Sequence, residues 1–448
     1  MNTDIRICRV TSDTEHYAYR SPMKFGGRVV RDVTILNVTA EVESRDGRRG
    51  VGHGSMTMGN AWAWISPTLD NEQTLSAMVA MGQKTAAFAD AFQDVGHPLE
   101  LCVAMGKQYA SLAESVMREK GFSEPFPKLA QLVAASPTEA ALFDAFGKML
   151  GENVFRLLGK EYVNTDLSAY LGPDFAGEYL DRYTSRQPKP NMPLYHLVGG
   201  LDPLTDADIP QRLNDGLPET LGEWIAADGL THLKIKLNGE NLEHDIARCV
   251  AIEAVTAEAQ AKRGVDTWYY SADFNEKCSS EDYVLEWLAR VGERSPRALD
   301  RLQYIEQPTH RNLDAEPRIT MFRAAKVRPV VIDESLTDFA ALRKSRELGY
   351  SGVALKACKG QSEALLMGAA AQKYGLFLCV QDLTCPGASF LHSASLAAHI
   401  PTVSAIEGNG RQYCPAANAP FADRFPEIFH VTQGTLRTAV LDGPGLGF

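Results

Sequence analysis

The chain has 448 residues, which exceeds one average domain and favours two cooperating units. With 45% hydrophobic and 23% charged residues, it does not belong to the disordered or fibrous classes. A formal net charge of -11 argues against nucleic-acid binding, and no apolar run reaches the roughly 18 residues of a membrane-spanning helix. The start, MNTDIRICRV, has charges where a signal peptide has an apolar centre, so we expect a cytoplasmic protein.

The first part of the chain changes from strand-rich to helical sequence. Residues 28–43, RVVRDVTILNVTAEVE, are rich in Val, Ile and Thr, and the turn RDGRR leads to another extended piece. From about Asn71 to Leu158, apolar residues recur at helical spacing, and ALFDAFGKMLG ends at a glycine suited to a helix C-terminus. This order predicts an α+β unit that opens with an antiparallel hairpin.

After the Pro-rich stretch SRQPKPNMP, strands and helices alternate, so we place a domain boundary near residue 190. Eight β-rich runs follow between about 194 and 408: LYHLVG, HLKIKL, WYYSADF, LQYIEQP, RPVVIDES, GVALKAC, LFLCVQ and TVSAIEG. Such runs, separated by helical sequence, predict a closed parallel barrel. An open doubly wound sheet is the alternative, although no Gly-rich dinucleotide fingerprint follows the first strand.

Three acids stand at the ends of three successive predicted strands: Asp273 in SADFN, Glu306 in YIEQP and Asp333 in VVIDES. The intervals from 273 to 306 and from 306 to 333 are 33 and 27 residues, so a barrel brings the three carboxylates together at its C-terminal rim. Adjacent carboxylates repel unless a hard cation neutralises them, and a few carboxylates form the kind of site that Mg²⁺ favours. The pattern therefore predicts Mg²⁺. Glu334 competes with Asp333 for the third position, and we choose Asp333.

Lysines bracket these acids. Lys234 and Lys236 in HLKIKL share one face of a strand, where we expect burial and neighbouring positive charge to lower an ammonium pKa toward that of a general base. Lys356 in VALKACK lies on a strand four further round the barrel from Lys236, and so lies across the site. Two lysines placed in this way predict removal of a proton from one face of a substrate carbon and its return to the other. Mg²⁺ on the substrate carboxylate makes that step feasible.

Together these motifs resemble the enolase superfamily, and within it the muconate lactonizing enzyme-like group. The barrel motifs that carry the resemblance are KIK, DFN, IEQP, IDES and ALKACK, and those of the remaining chain are PMKFGG, ALFDAFGKMLG, FRLLGK and LDGPGLGF. The resemblance implies an α/β fold, a modified TIM barrel of (β/α)7β type, with an N-terminal α+β capping domain. It divides the chain into a capping domain at 1–190, a barrel at 191–408 and a segment at 409–448 that returns to the capping domain.

The resemblance also implies roles for individual residues. The three acids become Mg²⁺ ligands, Lys236 and Lys356 an acid/base pair, and Lys234 a helper at the substrate carboxylate. Asn275, two residues after the first ligand, becomes a contact to the substrate or a support for that ligand. Segments 21–27 and 53–64 resemble two lid loops that close over the site, and His53 is a predicted substrate contact beside the second lid.

Two departures from superfamily patterns limit the substrate prediction. No His lies on the seventh predicted strand, LFLCVQD. This strand therefore lacks the His of the His/Asp base arrangement found in mandelate racemase and many acid-sugar dehydratases. The D-x-D pair diagnostic of dipeptide epimerases is also missing. Asp382 and Glu407, at the ends of the seventh and eighth strands, are predicted substrate contacts instead.

The predicted reaction is abstraction of the α-proton of a small carboxylate through an enediolate, in a racemase, epimerase or cycloisomerase. A dehydratase uses the same first step, with Asp382 or a lysine protonating the leaving group. Two alternatives of other classes are a Schiff-base aldolase, which uses a buried lysine as nucleophile, and a binding barrel without catalysis. We also expect a homo-oligomer, as for many barrel enzymes.

Overall fold

The computed structural model describes residues 1–25 and 28–448, and its N-terminal layer is an antiparallel sheet of three strands. Their bounds are β1 Ile5–Phe25, β2 Arg28–Ser44 and β3 Arg49–Thr57. The predicted hairpin of β2 and β3 is confirmed. β1 goes beyond the sequence prediction: it pairs with β2 along nearly its whole length, from Ile5 opposite Ser44 to Phe25 opposite Arg28.

Helices cover this sheet. Their bounds are α1 Asn60–Ala63, α2 Asn71–Asp90, α3 Pro98–Gly106, α4 Tyr109–Lys120, α5 Lys128–Leu150 and α6 Ser168–Leu171. The predicted helical region is confirmed: α2 begins at Asn71, and α5 ends at Leu150, followed by Gly151, whose φ of 70° is the left-handed conformation that glycine adopts readily.

The two predicted lid loops are largely regular structure. Residues 21–25 of the first belong to β1, because they pair with β2, and Gly26 and Gly27 lie outside the described residues. In the second, residues 53–57 belong to β3 and residues 60–63 form α1. Hydrogen bonding to neighbouring elements, which local sequence does not reveal, accounts for the difference.

A closed barrel of eight parallel strands follows, as predicted. Its strands are β4 Met192–Val198, β5 His232–Lys236, β6 Tyr269–Asp273, β7 Leu302–Glu306, β8 Val330–Ile332, β9 Gly352–Leu355, β10 Phe377–Val380 and β11 Ile406–Glu407. They are ordered consecutively round the barrel, and β11 closes it by pairing with β4.

Seven of these strands are followed by a helix before the next strand begins, which confirms the predicted (β/α)7β arrangement. The helices are α7 Leu221–Asp228, α8 Leu242–Arg263, α9 Glu281–Arg294, α10 Pro296–Asp300, α11 Ala324–Val327, α12 Phe339–Glu347, α13 Gln361–Lys373 and α14 Gly387–His399. Within the described residues, no helix is long and apolar enough to cross a membrane.

The last part of the chain contains α15 Gly410–Tyr413, α16 Ala419–Ala422, α17 Pro426–Phe429 and the short strand β12 Thr435–Leu436, which pairs antiparallel with β4. The C-terminal end of the chain contacts both the N-terminal part and the barrel. The Leu446 N–H donates to Asp144 Oδ1 of α5 at 3.0 Å, and Ser395 of α14 donates to the Leu446 carbonyl at 2.6 Å. The division at residues 190 and 408 itself stays a prediction.

Candidate active site

Lys234 lies at the centre of a group of buried carboxylates. It shares a face of β5 with Lys236, as predicted, and its side chain is 2% exposed. Its ammonium group lies 3.1 Å from Asp273 Oδ2, 2.8 Å from Glu306 Oε1 and 2.8 Å from Glu407 Oε2. One lysine therefore contacts acids from three different strands.

Lys236 is held beside the first of these acids. Lys236 pairs with Asp273 across β5 and β6, and Asp273 pairs with Glu306 across β6 and β7, so the three residues stand at one level of the barrel. The Lys236 ammonium donates to the Asp273 carboxylate and, at 3.0 Å, to Asn275 Oδ1. The Asn275 N–H in turn donates to Asp273 Oδ1 at 2.9 Å. Asn275 thus bonds both Lys236 and Asp273.

A second pair of lysines faces the site from the opposite side of the barrel. Lys356 follows β9, four strands on from β5, and its ammonium lies 2.9 Å from Asp333 Oδ2. Lys359 lies 3.0 Å from the other oxygen, Oδ1, and also donates to the Asp333 carbonyl at 2.5 Å. Both lysines are buried. Asp333 is therefore held at each of its carboxylate oxygens.

The neighbour of Asp333 points elsewhere. Glu334 Oε1 accepts a hydrogen bond from the Trp62 indole at 2.8 Å, whereas Oε2 is buried without a partner among the described residues. Trp62 belongs to α1, and its ring centroid lies 4.6 Å from the Lys356 ammonium. Burial and the charge of Asp333 raise the pKa of Glu334 to about 8. Of the two alternatives for the third ligand, Asp333 is the acid that lies among the lysines.

Burial and mutual charge shape the titration of the site. Burial and then the charge of Asp273 raise the pKa of Glu306 well above its usual range. Burial also raises the pKa of Asp273, but Lys236 and Lys234 outweigh it and lower that pKa below its usual range. For Asp333, Lys356 and Lys359 outweigh burial and lower the pKa to about 2.

The lysine pKa values differ from the sequence prediction. Burial lowers the pKa of Lys234, but the charges of Glu306, Glu407 and Asp273 raise it well above its usual range. For Lys356, the charge of Asp333 likewise outweighs burial and raises the pKa. The expectation of a lowered ammonium pKa, made for the pair on β5, is wrong for Lys234, because the adjacent carboxylates outweigh burial.

The predicted substrate contacts fall into different places. Glu407 reaches the site through Lys234, and the Asn409 amide donates to its Oε1 at 2.9 Å. The Asp382 carboxylate accepts from the Cys385 N–H at 2.8 Å, while its carbonyl accepts from Lys356 at 3.4 Å. The Asp382 carboxylate also accepts from the Asn409 N–H at 3.3 Å, so it binds both its own loop and the chain after β11, while its backbone carbonyl contacts Lys356.

His53 lies away from the site, which corrects its predicted role. It occupies an exposed position on β3, where its ring bonds Thr39 at 3.2 Å. Because side chains alternate along a strand, His53 points to the sheet face opposite the buried Gly52 and Gly54.

Two further side chains of the site were not singled out from the sequence. Lys359 stands three residues after Lys356, on a 3-10 turn at Ala357–Lys359. It is the last residue of the motif ALKACK, so the sequence contained a signal for it. Gln381, after β10, donates to Glu306 Oε2. A glutamine at a strand end has no sequence signature, so this contact is visible only in the structure.

The donor set fits a hard divalent cation by its chemistry. Asp273, Glu306 and Asp333 are all buried and offer only oxygen ligands, which is the preference of Mg²⁺. Among residues 1–25 and 28–448, no three acidic, His or Cys side chains are arranged to hold a metal as they stand, and lysine ammonium groups contact each of the three acids. Six buried acids and four buried lysines lie in and around the site: Asp273, Glu306, Asp333, Glu334, Asp382 and Glu407, with Lys234, Lys236, Lys356 and Lys359.

Comparison with known proteins places the chain among others of this architecture. Residues 217–448 match the family model described as enolase C-terminal domain-like. The structure of muconate lactonizing enzyme from Pseudomonas Fluorescens complexed with muconolactone is 19% identical, with a TM-score of 0.60 over 99% of this chain and 96% of that one. The L-Ala-D/L-Glu epimerase from Bacillus subtilis is 17% identical, with a TM-score of 0.61 over 99% and 98%.

A third solved structure, an enolase from Bradyrhizobium complexed with magnesium and mandelic acid, is 16% identical, with a TM-score of 0.61 over 100% of this chain and 96% of that one. A search of curated protein sequences found no match. At these identities, the likeness to the solved structures shows the fold: a modified TIM barrel with a capping domain.

Proposed function

This chain belongs to the enolase superfamily, and we propose that it removes the α-proton of a small carboxylate substrate in a magnesium-dependent reaction. Superfamily sites characteristically use a Lys or His base with Mg²⁺ ions that stabilise an enediolate. We assign this chain to the isomerases, as a racemase, epimerase or cycloisomerase. Lactonisation and epimerisation are also the reactions that two of the structural neighbours carry in their names.

The single observation that supports this proposal is the placement of lysines on two sides of one row of acids. Lys236 on β5 contacts Asp273 on one side. On the other side Lys356, which follows β9 four strands further round the barrel, contacts Asp333. A carboxylate lying over the acids has its α-carbon between two amines. Proton transfer from opposite faces is the requirement for inversion at that carbon.

Each residue then has a defined part. Lys236 and Lys356 take or return a proton at Nζ, one for each face of the α-carbon, while Lys234 keeps a positive charge next to the substrate carboxylate. Mg²⁺ held by Asp273, Glu306 and Asp333 would supply electrostatic stabilisation of the negative charge that develops on that carboxylate. Trp62, stacked near Lys356, excludes water from its side of the site.

The contacts limit how the other reactions considered could use this site. The Asp382 carboxylate binds the backbone N–H groups of Cys385 and Asn409, so a dehydratase would use a lysine as the acid at its leaving group. A Schiff-base aldolase would use the same buried lysines, Lys236 or Lys356, as the isomerase, and borohydride trapping separates these two reactions. A barrel that only binds its ligand has no need for opposed lysines.

The test is incubation of the purified chain with a panel of small chiral carboxylates in deuterium oxide. The proposal predicts deuterium uptake at the α-carbon together with inversion or ring closure, and loss of both when EDTA removes Mg²⁺. Loss of water from the substrate would identify a dehydratase. Activity that survives EDTA, with borohydride fixing the substrate to a lysine, would contradict the proposal in favour of an aldolase.

A further inference from the structure

A cavity outside the candidate active site lies where β1, the end of β4 and the start of α7 meet. It has a volume of about 380 Å³, within the range of roughly 300–1,000 Å³ that is typical of small-molecule pockets. Among the described residues that line it, none is an acid or a lysine of the active site. The buried cluster of Met23, Leu197 and Tyr413 separates the two regions. Leu197 is paired with Lys234 on β5, whereas the Tyr413 hydroxyl donates to Asp202 in the cavity wall at 2.6 Å.

Most of the cavity wall is apolar. α7 contributes Leu221 and Trp224, which are buried, and the loop between β4 and α7 contributes Ile209 and Leu213. Leu213 is 47% exposed, so part of this apolar surface faces water. Covering such surface is favourable by about 25 cal/mol per Å². A ligand that fits the cavity therefore has an apolar body.

Asp202 supplies a carboxylate whose direction is fixed by the chain. Its Oδ2 accepts three hydrogen bonds, from the Gly199 N–H at 2.8 Å, the Gln412 amide at 2.9 Å and the Tyr413 hydroxyl. Its Oδ1 accepts none from residues 1–25 or 28–448. Burial raises the pKa of Asp202 above its usual value, although these hydrogen bonds lower it. The carboxylate thus keeps a free acceptor, and its charge is incompletely compensated.

A second unpaired acceptor adjoins this carboxylate. The Gln412 amide donates through Nε2 to Asp202 and to the Leu197 carbonyl, and its Oε1 is buried without a hydrogen-bond partner among the described residues. Gln412 is 4% exposed and lines the cavity. Buried acceptors in native structures are almost always paired, so this oxygen favours a donor from outside the chain. An ammonium group, with three N–H donors, can serve both acceptors.

The charges of the cavity wall favour a cation. Its lining contains three acids: Asp202, Asp208 and Glu219. Among the described lining residues, the only basic side chain that carries a charge is Arg20, which already binds both oxygens of Asp215, at 2.6 and 2.7 Å. His196 adds no charge, because burial and Arg411 lower its pKa well below its usual range. A concave acidic surface concentrates cations locally.

We propose that this cavity binds an organic amine, with its ammonium group at Asp202 Oδ1 and Gln412 Oε1 and an aromatic or branched alkyl body against Trp224 and Leu213. The ligand class is a small protonated primary amine with one apolar substituent. Binding there is separate from the proposed reaction, because none of the described lining residues is an acid or a lysine of the candidate active site.

Calorimetric titration of the purified chain in MgCl₂ tests this site. The probe is 2-phenylethylamine at neutral pH. It is compared with 2-phenylethanol, which has the same apolar body without the charge, and with ethylamine, which has the charge without the ring. We expect 2-phenylethylamine to bind about tenfold or more tightly than either, because only this probe combines a charged donor with an apolar body.

Two variants locate the bound amine. Asp202→Asn removes the charge with little change of shape and should weaken 2-phenylethylamine binding about tenfold or more. Leu213→Ser removes an exposed part of the apolar wall and should weaken binding about threefold or more. Asp300→Asn is the matched control: it removes the same charge at the exposed end of α10 and should leave the affinity unchanged. Circular dichroism checks that each variant folds.

Several results would overturn the amine site. They are no binding of 2-phenylethylamine, equal binding of this amine and either comparison compound, and an unchanged affinity in folded Asp202→Asn. If Asp202→Asn does not fold, an unchanged affinity in Leu213→Ser decides against the site in the same way. Proton exchange at the active site enters none of these measurements, so failure of the proposed reaction would leave their outcome intact.

Discussion

Asp333 is oriented by two lysines that approach it from one short turn. Lys356 precedes the 3-10 turn at Ala357–Lys359 and Lys359 ends it, and each contacts a different oxygen of the carboxylate, at 2.9 and 3.0 Å. A carboxylate fixed at both oxygens has little freedom to rotate. Its direction is therefore set by the protein before a ligand binds.

Replacement of Lys359 tests this orientation. Lys359→Met removes a buried, charged hydrogen bond and should lower the free energy of unfolding by about 2 kcal/mol, measured by urea titration in EDTA. Lys326→Met, at an exposed position on α11, is the control and should change it by less than about 0.5 kcal/mol. Equal stability of the two variants would show that Lys359 does not support Asp333.

The neighbouring acids Asp333 and Glu334 should differ in their effect on Mg²⁺ affinity. Asp333→Asn should weaken binding about tenfold or more, because it removes one of three anionic ligands. Glu334→Gln should have a much smaller effect, since its side chain faces Trp62. Calorimetric titration with MgCl₂ measures both, and a larger loss in the Glu334 variant would assign the third ligand to Glu334 instead.

At this scale, the sequence identifies residues better than it identifies their partners. Lys236, Asp273 and Glu306 were predicted together because charged residues at the ends of apolar strands must lie near one another in a barrel. The contact between Trp62 and Glu334 joins residues 272 positions apart. No periodicity encodes such a contact, so it depends on how the capping sheet docks on the barrel.

At the scale of elements, an apolar layer lies beneath the site. Tyr304, Val331, Ala354 and Cys379 form a buried cluster inside the barrel. Each stands two residues before a site residue and so shares its strand face, the site residues being Glu306, Asp333, Lys356 and Gln381. This layer closes the barrel below the charges and keeps water from reaching them from that side.

Close packing of β3 on α5 positions the capping sheet. Gly50, Gly52 and Gly54 alternate along β3, and a Cβ atom at any of them would collide with the α5 backbone; at Gly52 it would strike Ala145 and the Ala141 carbonyl. Glycine is needed here because strand and helix approach so closely.

Gly52→Ala should therefore lower the free energy of unfolding by about 3 kcal/mol, since the backbones must separate. Val51→Ala is a matched control on the same strand, where the native side chain is 47% exposed, and should change it by less than about 0.5 kcal/mol. Chemical denaturation measures both variants. A tolerated alanine at position 52 would contradict the close approach of β3 and α5.

The elements were predicted unevenly. All eight barrel strands were identified, because each is a short apolar run between helical segments. β1 was not, although it is 21 residues long. Much of it is polar and exposed, so it lacks the clear alternation of a half-buried strand, and pairing with β2 stabilises it instead.

At the scale of the whole molecule, the C-terminal end ties the capping layer to the barrel. Leu446 is 1% exposed, and its backbone bonds both Asp144 of α5 and Ser395 of α14. The last residues of the chain therefore join α5 of the capping layer to α14 of the barrel.

Leu446→Ala should lower the free energy of unfolding by about 3 kcal/mol, because it leaves a cavity at this junction. The control is Leu217→Ala, where the native side chain is 37% exposed. Its loss should change the free energy of unfolding by less than about 0.5 kcal/mol. Thermal unfolding followed by calorimetry compares them, and equal stability would show that the end of the chain does not couple the two layers.

Assembly into a homo-oligomer stays a prediction, which mass photometry of the purified chain can test.

The most direct test of the opposed lysines follows α-proton exchange in deuterium oxide from each face of the substrate carbon, in Lys236→Met and Lys356→Met. If Lys236 and Lys356 act on opposite faces, each variant should lose exchange from one face by about a hundredfold or more. The lost face should differ between the two variants, and exchange from the other face should persist. Exchange from both faces, in either variant, at the rate of the unsubstituted chain would contradict the assignment of the two lysines to opposite faces.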